Sequence, residues 1–201
     1  MNKLFLFSIL LASLSVEVFP ANEILGSIGF SYSTVFERNI NSDISSFMGS
    51  SGIYFNTSLP SKGRNLFFQN FFGFPQSIHT LIEEREITVN LEAGFQFGMI
   101  FGQAFFLPIN DKLIFQPNVG ISGTITRIKY LDEKIITSES TSLGIGSNIG
   151  FVYILSGRLA LNFGSSLSFN YSPRGLGNWA RHFFHFTARP YVSIALFTYR
   201  D

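Results

Sequence analysis

Oily and small polar side chains alternate along most of this chain, most regularly over residues 87–102 (ITVNLEAGFQFGMIFG). The odd positions there are Ile87, Val89, Leu91, Ala93, Phe95, Phe97, Met99 and Phe101; the even ones are Thr88, Asn90, Glu92, Gly94, Gln96, Gly98, Ile100 and Gly102. A strand sends successive residues to opposite faces, whereas a helix scatters both sets around its circumference. The segment is therefore predicted as a strand with one apolar face.

The same pattern predicts seven further strands. Residues 24–36 set Ile24, Ile28, Phe30, Tyr32 and Phe36 against Ser27, Gly29, Ser31 and Ser33, and residues 49–59 set Ile53, Phe55 and Leu59 against Gly52, Tyr54, Asn56 and Ser58. Residues 66–74 are strand-like by aromatic content. Residues 113–125, 143–155 and 159–171 repeat the alternation, with Gln116, Asn118, Asn148, Asn162, Ser168 and several glycines on the small side. Residues 182–199 close the series. Here Val192, Ile194 and Leu196 run out of step with Phe197 and Tyr199, and Pro190 marks a place for a bulge; the even set is taken as the apolar face.

Connections are expected to alternate in length. Short turns are predicted at residues 60–64, 108–112 and 156–158, and longer polar loops at 37–48, 75–86, 127–140 and 172–181. Transmembrane barrels have short periplasmic turns and longer extracellular loops, which places both termini on the periplasmic side. The fold class predicted is all-β: one eight-stranded antiparallel up-and-down transmembrane β-barrel.

Composition decides which face is inside. Of 201 residues, 46% are hydrophobic and only 13% charged, about half the charged share of an ordinary soluble domain. The charges concentrate in the first residues, turns, loops and C-terminus; only Glu92 and Arg189 sit well inside predicted strands. A strand face turned to water would carry Lys and Glu, and Gly, Ser, Asn, Thr and Gln instead suit the cramped interior of a small barrel. The oily set then faces lipid, where a mid-bilayer Arg or Lys costs about 2–4 kcal/mol. Aromatic pairs such as Tyr32 and Phe36, Phe169 and Tyr171, and Phe101 with Phe105 and Phe106 fit interfacial girdles.

Lys3 followed by the apolar residues 4–14 reads as an export signal occupying residues 1–21, with cleavage between 15 and 21 and the barrel over residues 22–201. The net charge of +1 offers no footprint for nucleic acid. Without cysteine there is no disulfide framework, thiolate metal site or lipoprotein anchor; no metal or cofactor is expected.

Residues 23–199 resemble in topology the small outer-membrane barrels of the OmpA, OmpX and OmpW type. Such proteins end in a strand whose last aromatic residue is read by the barrel-assembly machinery. Phe197 and Tyr199 look similar, although Arg200 and Asp201 follow. The resemblance implies the outer-membrane bilayer and that machinery as partners.

Two sets of residues are candidates for function. Glu92 and Arg189 fall on opposite strands in the lumen-facing set and are expected to pair within a network of Gln96, Asn148 and Asn162, either rigidifying the interior or gating small solutes. Arg174, Trp179 and Arg181, in the loop over residues 172–181, are expected to meet anionic head groups or a surface ligand. His79, His182 and His185 lie toward the predicted loops, and His185 with Thr187 raises the alternative of a lipid-modifying enzyme, though no motif sets out a nucleophile, base and acid. His182 and His185 would point to opposite faces, which argues against a shared metal. The expected function is a non-enzymatic outer-membrane barrel, either a narrow channel for small solutes or a structural, surface-exposed protein; an adhesin or ligand-binding barrel is a further alternative.

Overall fold

The structure, a computed structural model, describes residues 23–61, 64–82, 84–130, 137–175 and 181–199. The predicted export signal and Trp179 lie outside the described residues. Eight long antiparallel strands form the wall: β1 (Glu23–Asn39), β2 (Ile44–Ser61), β3 (Arg64–Ile82), β4 (Arg85–Ala104), β6 (Leu113–Tyr130), β7 (Thr137–Ser156), β8 (Leu159–Arg174) and β9 (Arg181–Tyr199). Each pairs with its sequence neighbour, and β1 pairs with β9, so the sheet closes on itself and leaves no edge. The two-residue β5 (Leu107–Pro108) continues the ladder of β4 along β6, after an irregular step at residues 105–106.

Alternation gives the wall two faces of opposite chemistry. Phe30, Ile145 and Leu143 are 75%, 68% and 65% exposed, far beyond what a water-facing surface tolerates in a contiguous belt. Ser27, Ser31, Asn162, Ser166, Ser168 and Asn170 point inward and are buried. On the last strand the even set Val192, Ile194 and Leu196 faces out, while Arg189, Tyr191, Ser193 and Ala195 face in. Pro190 is outward and exposed.

The strands are longer than the sequence pattern alone indicated. They run 16 to 20 residues, where a transmembrane strand needs about 9–11. Most of the residues assigned to long loops are barrel wall. Between β1 and β2 only residues 40–43 connect, and between β3 and β4 only 83–84, with Glu84 in a left-handed conformation (φ 68°) at the tip. The physical reason is that wall above the bilayer still alternates, but nothing there selects oily residues outward: Arg38, Arg127 and Glu139 occupy outward positions. On β7 the outward run from Leu143 to Leu155 rises about 30 Å, taking ~3.3 Å per residue and a tilt of about 40°. That matches an apolar band of about 25 Å with its girdles.

Two bulges change the phase of the wall. The β3–β4 register slips between Gly73 and Ser77, and the β4–β6 register between Leu91 and Ala93. One extra residue turns every following side chain to the other face. Phe95 and Phe101 therefore point to lipid, whereas Val89 and Leu91, expected on the same face, pack inside against Val35, Met48, Ile78, Ile128 and Tyr130. Phe106, expected in a girdle, turns inward and joins Leu25, Phe67, Ala104, Ile114, Val152, Ala160 and Ala195 in a second apolar cluster at the turn end.

Candidate functional site

Between the two apolar clusters the lumen is a polar layer, and inward-pointing positions of all eight long strands supply it. Arg189, 2% exposed, reaches across from β9: Nε donates to Ser33 Oγ at 3.2 Å and Nη2 to Thr124 Oγ1 at 3.1 Å, with Cζ 5.4 Å from the centroid of the Phe71 ring. Gly98 makes room for it, since a Cβ there would lie 2.4 Å from Nη2. Among the described residues no carboxylate lies within ion-pair distance of this guanidinium.

Tyr191 joins two of the predicted amides. Its hydroxyl accepts from Asn148 Nδ2 at 3.0 Å and donates to Asn162 Oδ1 at 3.4 Å, while its ring stacks on Tyr54 with centroids 4.1 Å apart. Asn162 Nδ2 also donates to Ser27 Oγ at 3.5 Å. Gln96 forms a separate bond, accepting from Ser50 Oγ at 2.5 Å, and Gln69 Nε2 donates across the barrel to Ser166 Oγ at 2.9 Å. The Gln116 and Asn118 amides, 0% and 4% exposed, have no partner among the described residues and are groups of the kind that buried water satisfies.

Glu92 is not part of this layer. It sits at the β4 bulge, where the phase has turned, and its carboxylate takes the Lys129 ammonium at 2.7 Å on the outer wall. The expected Glu92–Arg189 pair is thus replaced by one exposed ion pair and one buried cation held by neutral groups. The carboxylate that does enter the lumen is a different one: Glu37 Oε2 lies 3.2 Å from His185 Nε2, both nearly inaccessible. Continuing the odd-inward phase of β1 past Phe36 puts Glu37 in the lumen, and the odd-inward phase of β9 does the same for His185. That alternation is present in the sequence, although the polar residues of 37–48 predict a loop there. His182 is exposed on the outer side, on the opposite face from His185.

At the other candidate region, Arg174 and Arg181 are direct cross-strand partners at the end of the β8–β9 hairpin, and both are exposed.

No family model and no curated protein matches the sequence. Solved structures do. The outer membrane protein OprG from Pseudomonas aeruginosa superposes with a TM-score of 0.61 at 9% identity, over 92% of this chain and 100% of that one. Ail, the attachment invasion locus protein of Yersinia pestis, in complex with the heparin analogue sucrose octasulfate, gives 0.55 at 9% identity over 88% and 99%. Neisserial surface protein A gives 0.51 at 11% identity over 85% and 96%. The chain has the fold of a small outer-membrane β-barrel. The belt of exposed aliphatic and aromatic side chains fits that fold, and among the described residues no helix is long and apolar enough to cross a membrane.

Proposed function

We propose that the barrel, after removal of the leader at residues 1–21, resides in the outer membrane as a non-enzymatic, surface-exposed structural and interaction protein. Its termini then face the periplasm and the long strand extensions stand above the outer leaflet. The observation that carries this reading is the filled lumen. An apolar cluster sits at each end, with Arg189 and the Tyr54–Tyr191 stack between them. A narrow channel for small solutes would require both clusters and the Arg189 bridge to move aside. What is left for function is the outer end of the wall.

The paired Arg174 and Arg181 give that end a preferred kind of partner. Like charges directly opposite across a ladder repel, and an anionic ligand bridging them relieves the repulsion. The Ail structure with a polysulfated ligand offers a parallel.

Two measurements test the proposal. Purified barrel in planar bilayers is expected to give no steady conductance steps; regular single-channel steps would overturn the filled-lumen argument. Barrel-bearing cells are expected to retain heparin, and Arg174→Ala with Arg181→Ala to lose most of that retention. Undiminished retention would remove these arginines from the function.

A further inference from the structure

Besides a groove beside Phe95, Arg127 and Lys129, the outer wall carries a second recess that neither the filled lumen nor the arginine pair accounts for. It has a volume of about 170 Å³ and lies across β1, β2 and β3, at the level where their register slips. Its aromatic lining comes from Tyr32, Phe47 and Phe74, its polar lining from Ser51, Gln76 and His79. Gly49 keeps it shallow enough for Tyr32 to lie over the strand, because a Cβ there would lie 2.1 Å from the Tyr32 hydroxyl.

Position and charge narrow what this recess can hold. Ser51 is the cross-strand partner of both Tyr32 and Phe74. One outward step toward the turn end come Phe30 and Ile53, both exposed to lipid; the other way, one outward step beyond Phe36 and Phe47 come Arg38 and Ser45. The recess therefore straddles the edge between acyl chains and head groups. Its lining includes no Lys, Arg, Asp or Glu, and the Glu86 carboxylate lies 3.8 Å from His79 Nδ1 at its edge, so no fixed cation there selects a phosphate. His79 is engaged through Nδ1 with Thr88 Oγ1 at 2.9 Å, which fixes the ring beside Phe47. Flat aromatic walls offer faces to apolar C–H groups while hydroxyl and amide groups offer hydrogen bonds. That combination matches the two faces of a pyranose ring.

We infer that this recess seats the uncharged sugar of a glycolipid head group, with the acyl chains lying along Phe30 and Ile53. The inference rests on the membrane reading above and adds a ligand class and a place to it.

The test uses the full barrel in nanodiscs of phosphatidylcholine, alone or doped with digalactosyl diacylglycerol or with phosphatidylglycerol, read by backbone amide NMR shifts. Saturable shifts at Gly49, Ser51 and Ser77 are expected with the galactolipid and not with the anionic lipid. Ser51→Leu, which fills the recess with an outward apolar group, should weaken the apparent affinity about tenfold or more. Thr57→Leu, outward on the same strand but away from the recess, should titrate like the parent. Equal shifts with every lipid, or Ser51→Leu titrating unchanged, would overturn the site. Methyl galactoside matching the galactolipid in affinity would overturn the lipid as its source. A protein that fails to enter nanodiscs and shows no heat-modifiable migration would overturn the membrane reading, and the site with it.

Discussion

The bond between Arg189 and Thr124 ties β9 to β6 across the lumen, and a double-mutant cycle on it measures how the barrel interior holds a charge that has no counter-ion among the described residues. Thr124→Val keeps the volume and removes the acceptor that Nη2 uses at 3.1 Å. A hydrogen bond to a charged group contributes about 1.5–3 kcal/mol, and losing it leaves a donor of a 2% exposed guanidinium unpaired. Arg189→Met removes the cation together with its desolvation cost; replacing a buried charge by an apolar group of similar size is often close to neutral. In the Met background Thr124→Val strands no charge and is expected to cost under about 1 kcal/mol. The coupling energy should then be about 1–2 kcal/mol. Urea unfolding in lipid vesicles, followed by heat-modifiable gel mobility, gives the four stabilities. A coupling below about 0.5 kcal/mol would show that water in the lumen, not the Thr124 hydroxyl, solvates Arg189, and the interior would have to be described as a hydrated cavity.

Three further outcomes follow from the same geometry. Tyr191→Phe keeps the stack on Tyr54 but takes the hydroxyl from Asn148 and Asn162, and is expected to cost about 1–3 kcal/mol in the same unfolding assay; no loss would mean the two amides are satisfied elsewhere. Glu92→Gln breaks only the half-exposed pair with Lys129 and should cost about 1 kcal/mol or less, so a larger loss would refute its placement on the outer wall. Gly120→Ala would set a Cβ 2.1 Å from the Phe101 carbonyl oxygen and 2.6 Å from Gly102 Cα, backbone atoms that cannot step aside, and should sharply cut the yield of heat-modifiable barrel. Gly123→Ala, whose nearest neighbour would be at 3.7 Å, should fold like the parent.

The closed antiparallel meander, the direction of the oily face and the lumenal place of Arg189, Gln96, Asn148 and Asn162 were all legible in the period-two pattern. That pattern is reliable where lipid lies outside, because every second residue is then chosen by a strongly apolar solvent. It fails where the selection stops. Above the belt, Glu37, Ser46, Thr80, Thr126 and Ser140 still point inward and are buried, but their outward neighbours Arg38, Ser45, Arg127 and Glu139 are polar too, so the two faces look alike in sequence. Polarity on both faces predicts a loop. The inward places of Tyr54 and Tyr191 follow from the alternation, but those of Phe67 and Phe71 do not, because adjacent aromatics such as Phe67–Phe68 and Phe71–Phe72 put the same chemistry on both faces.

Glu92 shows why a bulge matters beyond the pair it moves. Had the alternation run unbroken from Phe101 back to Ile87, Glu92 would be a carboxylate opposite Arg189 in the lumen, and Val89 and Leu91 would extend the oily belt upward. The slip at Leu91–Ala93 instead ends the outward apolar run of β4 at Phe95 and puts the ion-paired Glu92 and Lys129 immediately above it. It also delivers Val89 and Leu91 to the apolar cluster that closes the loop end of the lumen. One inserted residue thus sets the height of the lipid boundary on this side of the barrel and supplies part of its plug. The slip on β3 between Gly73 and Ser77 lies on the adjoining strand and turns Ile78 inward to the same cluster, while His79 stays at the outer recess. Closure of the interior and the shaping of the outer rim are therefore consequences of the same two irregularities in the ladder.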